Sequence, residues 1–424
     1  MTAAPLPPAT TRPDGDQPEQ PLWRNGSFQA FWISRFLATV GKESAEVAYP
    51  LLILATTGSA TYAGAVGATQ LLVTGLTSIP AGTLADRYDR RLLLIICDGA
   101  RMALLALFAV LVVLGRANLV VTLTIVVAAS AFLGLSNPPA LAAIKQLVLP
   151  SQITRAATQN QIRPLGATVI GSPIGSSLFA VGQAVPFVAT ALTFAASALT
   201  MLFVRRPLQP PPRTTGQDVP KRRLSDGFRF IARQPVLLVW IVWLMGSNMA
   251  FNHTGAFLAL IATARERHAS ESAISLMLSV AGVGGLVGAA IATQAIKRLR
   301  PSTIFLAAAW AGPVAAVLLA TVPGTLSLGI VLACVFLRGP SVNALFFAYI
   351  AVLVPDDMQG RVLGAVMFLS YIAQPLGIVV IGGVFDAWGP HWVFAFMGVV
   401  SALVALPTLG HRIRTLPTPE EAAT

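Results

Sequence analysis

Charge is what this chain has least of. Asp, Glu, Lys and Arg make up 11% of its 424 residues, against about 25% in an ordinary water-soluble domain. Mean hydropathy is +0.72 and 55% of the residues are apolar, which excludes a soluble multidomain protein. Cysteine is nearly absent: Cys97 and Cys334 both sit inside apolar runs, leaving neither a disulfide framework nor a metal-ligand spacing. The four histidines are scattered, without the clustering that a metal centre or a membrane-embedded enzyme site requires. No nucleotide-binding motif occurs, so ATP is not the expected energy source. The first 20 or so residues are rich in Pro, Thr, Asp and Gln and lack the apolar core of a signal peptide.

What is present is apolar length. A membrane-spanning helix needs about 20 apolar residues, and twelve such stretches are predicted, at 28–57, 61–84, 92–114, 119–142, 160–181, 184–204, 235–262, 272–296, 302–321, 325–350, 361–385 and 389–409. The expected fold is all-α integral membrane, with twelve transmembrane helices in two six-helix pseudo-symmetric halves. The predicted organisation is a cytoplasmic tail (1–24), an N-terminal half (25–204), a basic, Pro-rich linker (205–234), a C-terminal half (235–410) and a second tail (411–424). The net charge of +12 does not call for nucleic acid. With both termini in the cytoplasm, only Arg116, Arg265 and Arg267 fall in loops on the far side, the asymmetry that orients multi-pass proteins in the cell membrane. In the linker, Leu224, Phe228 and Ile231 recur at helical spacing beside Arg222, Arg229 and Arg233, predicting an amphipathic helix on the anionic inner leaflet.

The first span carries Arg35, Lys42, Glu43 and Glu46. Each charge at a bilayer centre costs about 2.5–3.5 kcal/mol on insertion scales, so four of them mark a polar path. Arg35, Lys42 and Glu46 fall within about 40° of one another on a helix, and Lys42 and Glu46 have the i,i+4 spacing of an ion pair. A carboxylate in such surroundings is suited to exchanging protons near neutrality. Glu43 and Glu46 are both candidates. Span seven adds Asn248, Asn252 and His253, the Asn pair sharing one face, and span eleven adds Tyr371 and Gln374. Trp240, Trp243, Phe251 and Phe257 either line a cavity or face lipid or core. Asp98 and Arg101, spaced i,i+3, are expected to pair near the end of span three.

Between spans two and three stands Gly82-Thr83-Leu84-Ala85-Asp86-Arg87-Tyr88-Asp89-Arg90-Arg91. It resembles the signature loop of the major facilitator superfamily, Gly-x-Leu-Ala-Asp-Arg-x-Gly-Arg-Arg, with Asp89 in place of the second Gly. The continuation through Asp98 and Arg101, and the stretch Asp226 to Pro235, resemble the branch of enterobactin exporters and macrolide efflux proteins. That resemblance covers residues 24 to 410. It implies that Asp86 latches the start of span eleven, in a gating loop with Arg87 whose Arg90 and Arg91 stay on the inner surface; Arg163, near the start of span five, is expected to partner the inner gate. It also implies a cavity lined by spans one, four, seven and ten, placing Arg338 opposite the span-one carboxylates as counter-ion or ligand, with Asn343 beyond it. The span-five sequence Gly171-Ser172-Pro173-Ile174-Gly175 is a degenerate form of the Gly-Pro-x-x-Gly-Gly motif of drug/proton antiporters. Paired landmarks, Val148-Leu149-Pro150 and Leu353-Val354-Pro355, suggest the duplication on which many carriers build alternating access.

The expected function is therefore secondary active export of an amphiphilic small molecule, a drug, macrolide-like antibiotic or other natural product, with the proton gradient in place of any cofactor. The alternatives are a siderophore exporter, an uncoupled facilitator or importer of the same fold, and, from a different class, a membrane-embedded enzyme. The expected partners are the cargo, protons and membrane lipids, with no metal, and the expected state is a monomer.

Overall fold

Short polar side chains set where the helices begin. Asn25 accepts the Phe28 amide at 3.1 Å and opens α1 (Gly26–Thr57); Gly58, at φ +69°, closes it; Ser59 caps α2 (Ala60–Arg87). Such caps satisfy amide groups that the first turn of a helix leaves unpaired. Asp89, the departure from the family loop, has the same use: its carboxylate accepts the Arg91 amide at 2.8 Å and starts α3 (Arg90–Val113). The computed structural model describes residues 22–149, 152–206, 208 and 224–416. The expectations placed on the tails before Leu22 and after Leu416, on linker residues 209–223, on Pro150, and on Gly82, Asp86, Arg87 and Tyr371 lie outside the described residues or side chains.

The chain continues through α4 (Leu119–Leu147), α5 (Ile153–Val181) and α6 (Val185–Met201), then α7 (Leu224–Arg233), α8 (Pro235–Phe251), α9 (His253–Glu266), α10 (Glu271–Arg298), α11 (Pro301–Thr321), α12 (Thr325–Leu337), α13 (Gly339–Leu353), α14 (Asp356–Trp388), α15 (Pro390–Ala405) and α16 (His411–Arg414). Among the described residues there is no strand. Among the described residues eight stretches are long and apolar enough to cross a membrane: 90–113, 119–144, 235–266, 271–298, 301–321, 325–350, 362–388 and 390–409. Gly166–Val181 and Val185–Met201 are apolar but shorter, and α1, 32 residues long, is interrupted by its four charges.

Two of the predicted spans are broken. Asn252 leaves the helix at ψ 153° and caps α9 by accepting the Gly255 amide at 2.7 Å. Asn252 still donates its amide to the Asn248 carbonyl at 3.2 Å, so the break falls just after the expected Asn pair. Arg338 lies at the other break, ahead of Gly339-Pro340, where proline has no amide to continue the ladder.

Packing separates the two halves at one end and fuses them at the other. One buried core runs from Ala38, Val47 and Leu105 of the N-terminal half to Ile261, Leu332 and Ile378 of the C-terminal half. Toward the end that carries Leu22 and Leu416 it divides. One core holds Phe28, Leu94, Ile144 and Val204; the other holds Trp240, Phe305, Phe346 and Val362. The bundle is thus V-shaped. The expectation of a helix lying on lipid is corrected for α7: Ile231 is buried in the C-terminal core and Phe228 meets Phe368 edge-on at 5.8 Å, while Arg229 and Arg233 are exposed. Ile231 and Phe228 thus pack on protein.

Close helix approach holds the walls together. A Cβ on Gly171 would press on the Val40 carbonyl and on Glu43, and one on Gly175 would overlap the Ser44 carbonyl. These glycines flank Pro173 and seat α5 against the charged stretch of α1, a use of small residues common between membrane helices. Gly175→Val is expected to cost about 1–3 kcal/mol through overpacking, read as a lower melting temperature in nanodiscs. Unchanged melting would mean that α1 and α5 can part freely.

Candidate functional site

At the point of the V, α1 presents two carboxylates that share two partners. Lys42 Nζ lies 3.1 Å from Glu43 Oε1 and 2.8 Å from Glu46 Oε1. The opposite oxygens face His253 of the other half, with Glu43 Oε2 3.7 Å from Nε2 and Glu46 Oε2 3.9 Å from Nδ1. Thr168 on α5 donates to Glu43 Oε2 at 3.0 Å. Both carboxylates are buried. The break at Asn252 is what delivers the imidazole. It makes His253 the first residue of α9, and the positive end of a helix dipole favours nearby negative charge. Phe257 then stands 4.1 Å from the imidazole ring.

These three acid and imidazole side chains are a donor set with ligand atoms within 4.8 Å of one another. The lysine ammonium already bridges the two carboxylates. The cluster carries two carboxylates against one ammonium, so a single proton balances it.

Below this point lies a cavity of about 300 Å³, lined by Arg35, Lys42, Glu43, Glu46, Arg101 and Arg163 with Gln70, Thr74 and Asn137. Its charges are arranged differently from the sequence expectation. Arg35 turns away from the span-one carboxylates and pairs with Asp98, which is fully buried on α3. Ser197 on α6 stands 2.7 Å from the same Asp98 oxygen and 3.1 Å from the Arg35 guanidinium. The expected Asp98–Arg101 pair is therefore corrected. A carboxylate takes the partner that tertiary packing brings, and α1 lies closer than the next turn of α3. Arg101 instead lies over the Phe194 ring, 3.8 Å from its centroid.

Arg338 is corrected as well. Its guanidinium donates to the Ala308 carbonyl at 2.6 Å and to Ser247 at 3.3 Å, within the C-terminal half. The counter-ion of Glu43 and Glu46 is Lys42, with the His253 imidazole beside them. Trp240 and Trp243 belong to the C-terminal core, Trp240 stacking on Phe305 at 4.3 Å. Phe251 is buried, Asn248 and Gln374 are half-buried, and Asn343 is exposed. In the loop after α2, Arg90 donates to the Ala142 and Leu208 carbonyls and Arg91 to those of Met201 and Leu202. These arginines tie α3 to the end of α4 and the exit of α6.

One residue escaped the sequence reading altogether. Asp386, near the end of α14, accepts the Ala60 amide at 2.7 Å, the Thr61 amide at 2.8 Å and the Ser59 hydroxyl. It caps α2 from the other half and fastens the closed end of the V. Ser176 and Ser177 reach Ser275 at 2.7 and 3.1 Å and join the halves a second time. A lone carboxylate at the end of a span was the available signal. Asp386→Ala is expected to weaken closure of this end by about 0.3–1 kcal/mol, the worth of an exposed carboxylate at a helix start, or about two- to fivefold in population. Spin-label distances across the α2–α14 end would measure it; unchanged distributions would show that the cap does not hold the halves.

Residues 31–378 and 247–424 match the profile described as Major Facilitator Superfamily. The "Multidrug efflux pump Tap" of Mycolicibacterium fortuitum is 25% identical over 396 residues, covering 90% of this chain and 95% of that protein. The "Enterobactin exporter EntS" of Salmonella typhimurium is 25% identical over 402 residues, covering 93% and 94%. Among solved structures, a bacterial homologue of the iron transporter ferroportin in an inward-facing state gives a TM-score of 0.68 at 16% identity, covering 93% of this chain and all of that one. The nucleoside transporter NupG gives 0.67 at 14% identity, covering 90% and 98%.

Proposed function

The chain belongs to the Major Facilitator Superfamily, and from that premise we propose that it exports an amphiphilic small molecule across the cytoplasmic membrane by alternating access, in exchange for protons. The observation that carries the reading is the cluster of Lys42, Glu43, Glu46 and His253. It sits where the two halves meet, and it is one positive charge short of balance. A proton supplies that charge, and rocking one half against the other changes what the imidazole can reach. With both termini in the cytoplasm, the open end of the V faces inward and the Asp386 cap closes the outside. The twelve-span reading counts α1, α2, α5 and α6 as spans and each broken helix pair as one.

Similarity to a multidrug efflux pump and to an enterobactin exporter supports export over import. It favours a drug or natural product as cargo, with a siderophore as the second reading. The protein works as a monomer with no cofactor. One proton moving down 100 mV supplies about 2.3 kcal/mol, enough for a gradient of about 50-fold.

The test is cargo-induced proton movement in proteoliposomes. Proton release on adding a drug from the cytoplasmic face, abolished by an uncoupler, is the expected result. Cargo movement without proton flux would replace antiport by facilitated diffusion.

A further inference from the structure

We propose that Arg101 and Arg163 bind an anionic oxygen group of the cargo, so that the molecules moved include amphiphiles bearing a carboxylate. The proposal rests on reading the cavity as the cargo site, and it adds a chemical class to that site. It starts from the pairing of charges around the cavity. Arg35 is matched by Asp98, and Lys42 by Glu43 and Glu46. Among the described residues the guanidinium groups of Arg101 and Arg163 form no ion pair or hydrogen bond, the Nε of each is buried without a partner, and Asp98, whose second oxygen is also free, makes its ion pair with Arg35 rather than Arg101. Arg101 is only 6% exposed. Its contact with Phe194 satisfies one face of the guanidinium plane and none of its N–H groups.

Two buried cations without acids are costly, and apolar residues would serve stability better. A guanidinium also offers paired N–H donors in a fork that fits the two oxygens of a carboxylate. Both arginines line one cavity, in which Gln70, Thr74 and Asn137 add neutral polar groups and Leu71 and Leu133 add apolar surface. At about 300 Å³ the space is at the small end of ligand pockets and suits an acid with one or two rings. The carboxylates of the wall repel such a guest less than two free acids would, because the Lys42 ammonium bridges both.

The probe is dansylglycine against its methyl ester, titrated by fluorescence into the full-length protein in phosphatidylcholine nanodiscs. The acid is expected to bind at least tenfold tighter than the ester, about 1.4 kcal/mol. Arg101→Gln and Arg163→Gln should each bring that ratio close to one, and Arg163→Lys should keep part of it. Arg163, the less buried of the two, carries the test if Arg101→Gln fails to fold. Equal affinities, no saturable binding of the acid, or a preference that survives both substitutions overturns the proposal. Loss of acid binding when phosphatidylglycerol is added to the nanodisc overturns it too, by assigning the arginines to a lipid phosphate. Failure of the efflux reading is separately visible: the acid preference would stand while proteoliposomes moved no compound against its gradient. Proton-driven efflux of neutral compounds without an acid preference would sink this inference alone.

Discussion

Asp98→Asn is expected to lower the stability of the protein by about 3–5 kcal/mol, the cost of stranding one member of a buried ion pair. Asp98 is fully buried, and it is the acid that balances Arg35. An amide in its place still accepts a hydrogen bond but supplies no charge. The loss spreads further, because Arg101 and Arg163 border the same cavity and would then share it with a third unpaired cation. Removing both members is milder, since a neutral, well-packed pair can match a buried ion pair. Arg35→Met combined with Asp98→Leu should therefore regain most of the deficit, whereas Arg35→Met alone should not. Melting of the wild type, Arg35→Met, Asp98→Leu and the double variant in nanodiscs gives the coupling directly. A loss below about 1 kcal/mol in Asp98→Asn would mean that water or a neighbour already neutralises Arg35.

That pair also shows how far the sequence could be read. Hydropathy and the loop from Gly82 to Arg91 were enough for the membrane class and the family, because both are local patterns. The i,i+4 bond of Lys42 to Glu46 was legible for the same reason. Which acid meets Arg35 was not, since i,i+3 spacing offers Arg101 to Asp98 while the answer depends on how α1, α3 and α6 are packed. Arg338 was misplaced by the same gap. Its position in span ten was predicted, but the kink at Gly339-Pro340 and the open Ala308 carbonyl of α11 turn it inward.

The break in span seven had a readable sign: Asn252 followed three residues later by Gly255 is a cap inside an apolar run. Without that break His253 would be one more lone histidine. Asp386 could have been found by the rule applied to Asp86, that an acid near a helix start acts as a fastener.

Neutralising either Glu43 or Glu46 should uncouple transport without abolishing it. In the wild type, the two carboxylates, one ammonium and one imidazole carry a net charge of −1 when the imidazole is neutral, and one proton brings it to zero. Glu43→Gln or Glu46→Gln reaches zero with no proton at all, and Lys42 keeps one ionic partner in either case. Such a protein has no reason to load a proton before its halves exchange position. Proton-driven accumulation should fall from the roughly 50-fold that 100 mV supports toward onefold, while downhill efflux and cargo exchange continue.

Replacing both carboxylates leaves Lys42 uncompensated at the junction, and that variant should lose stability as well as transport. His253→Gln separates the remaining possibilities. It leaves the count of acids and ammonium groups unchanged, so coupling that survives places the proton on a carboxylate, and coupling that disappears places it on the imidazole. Full accumulation in both single Glu variants would sink the role of the cluster, because the missing charge would then have no consequence for the gradient.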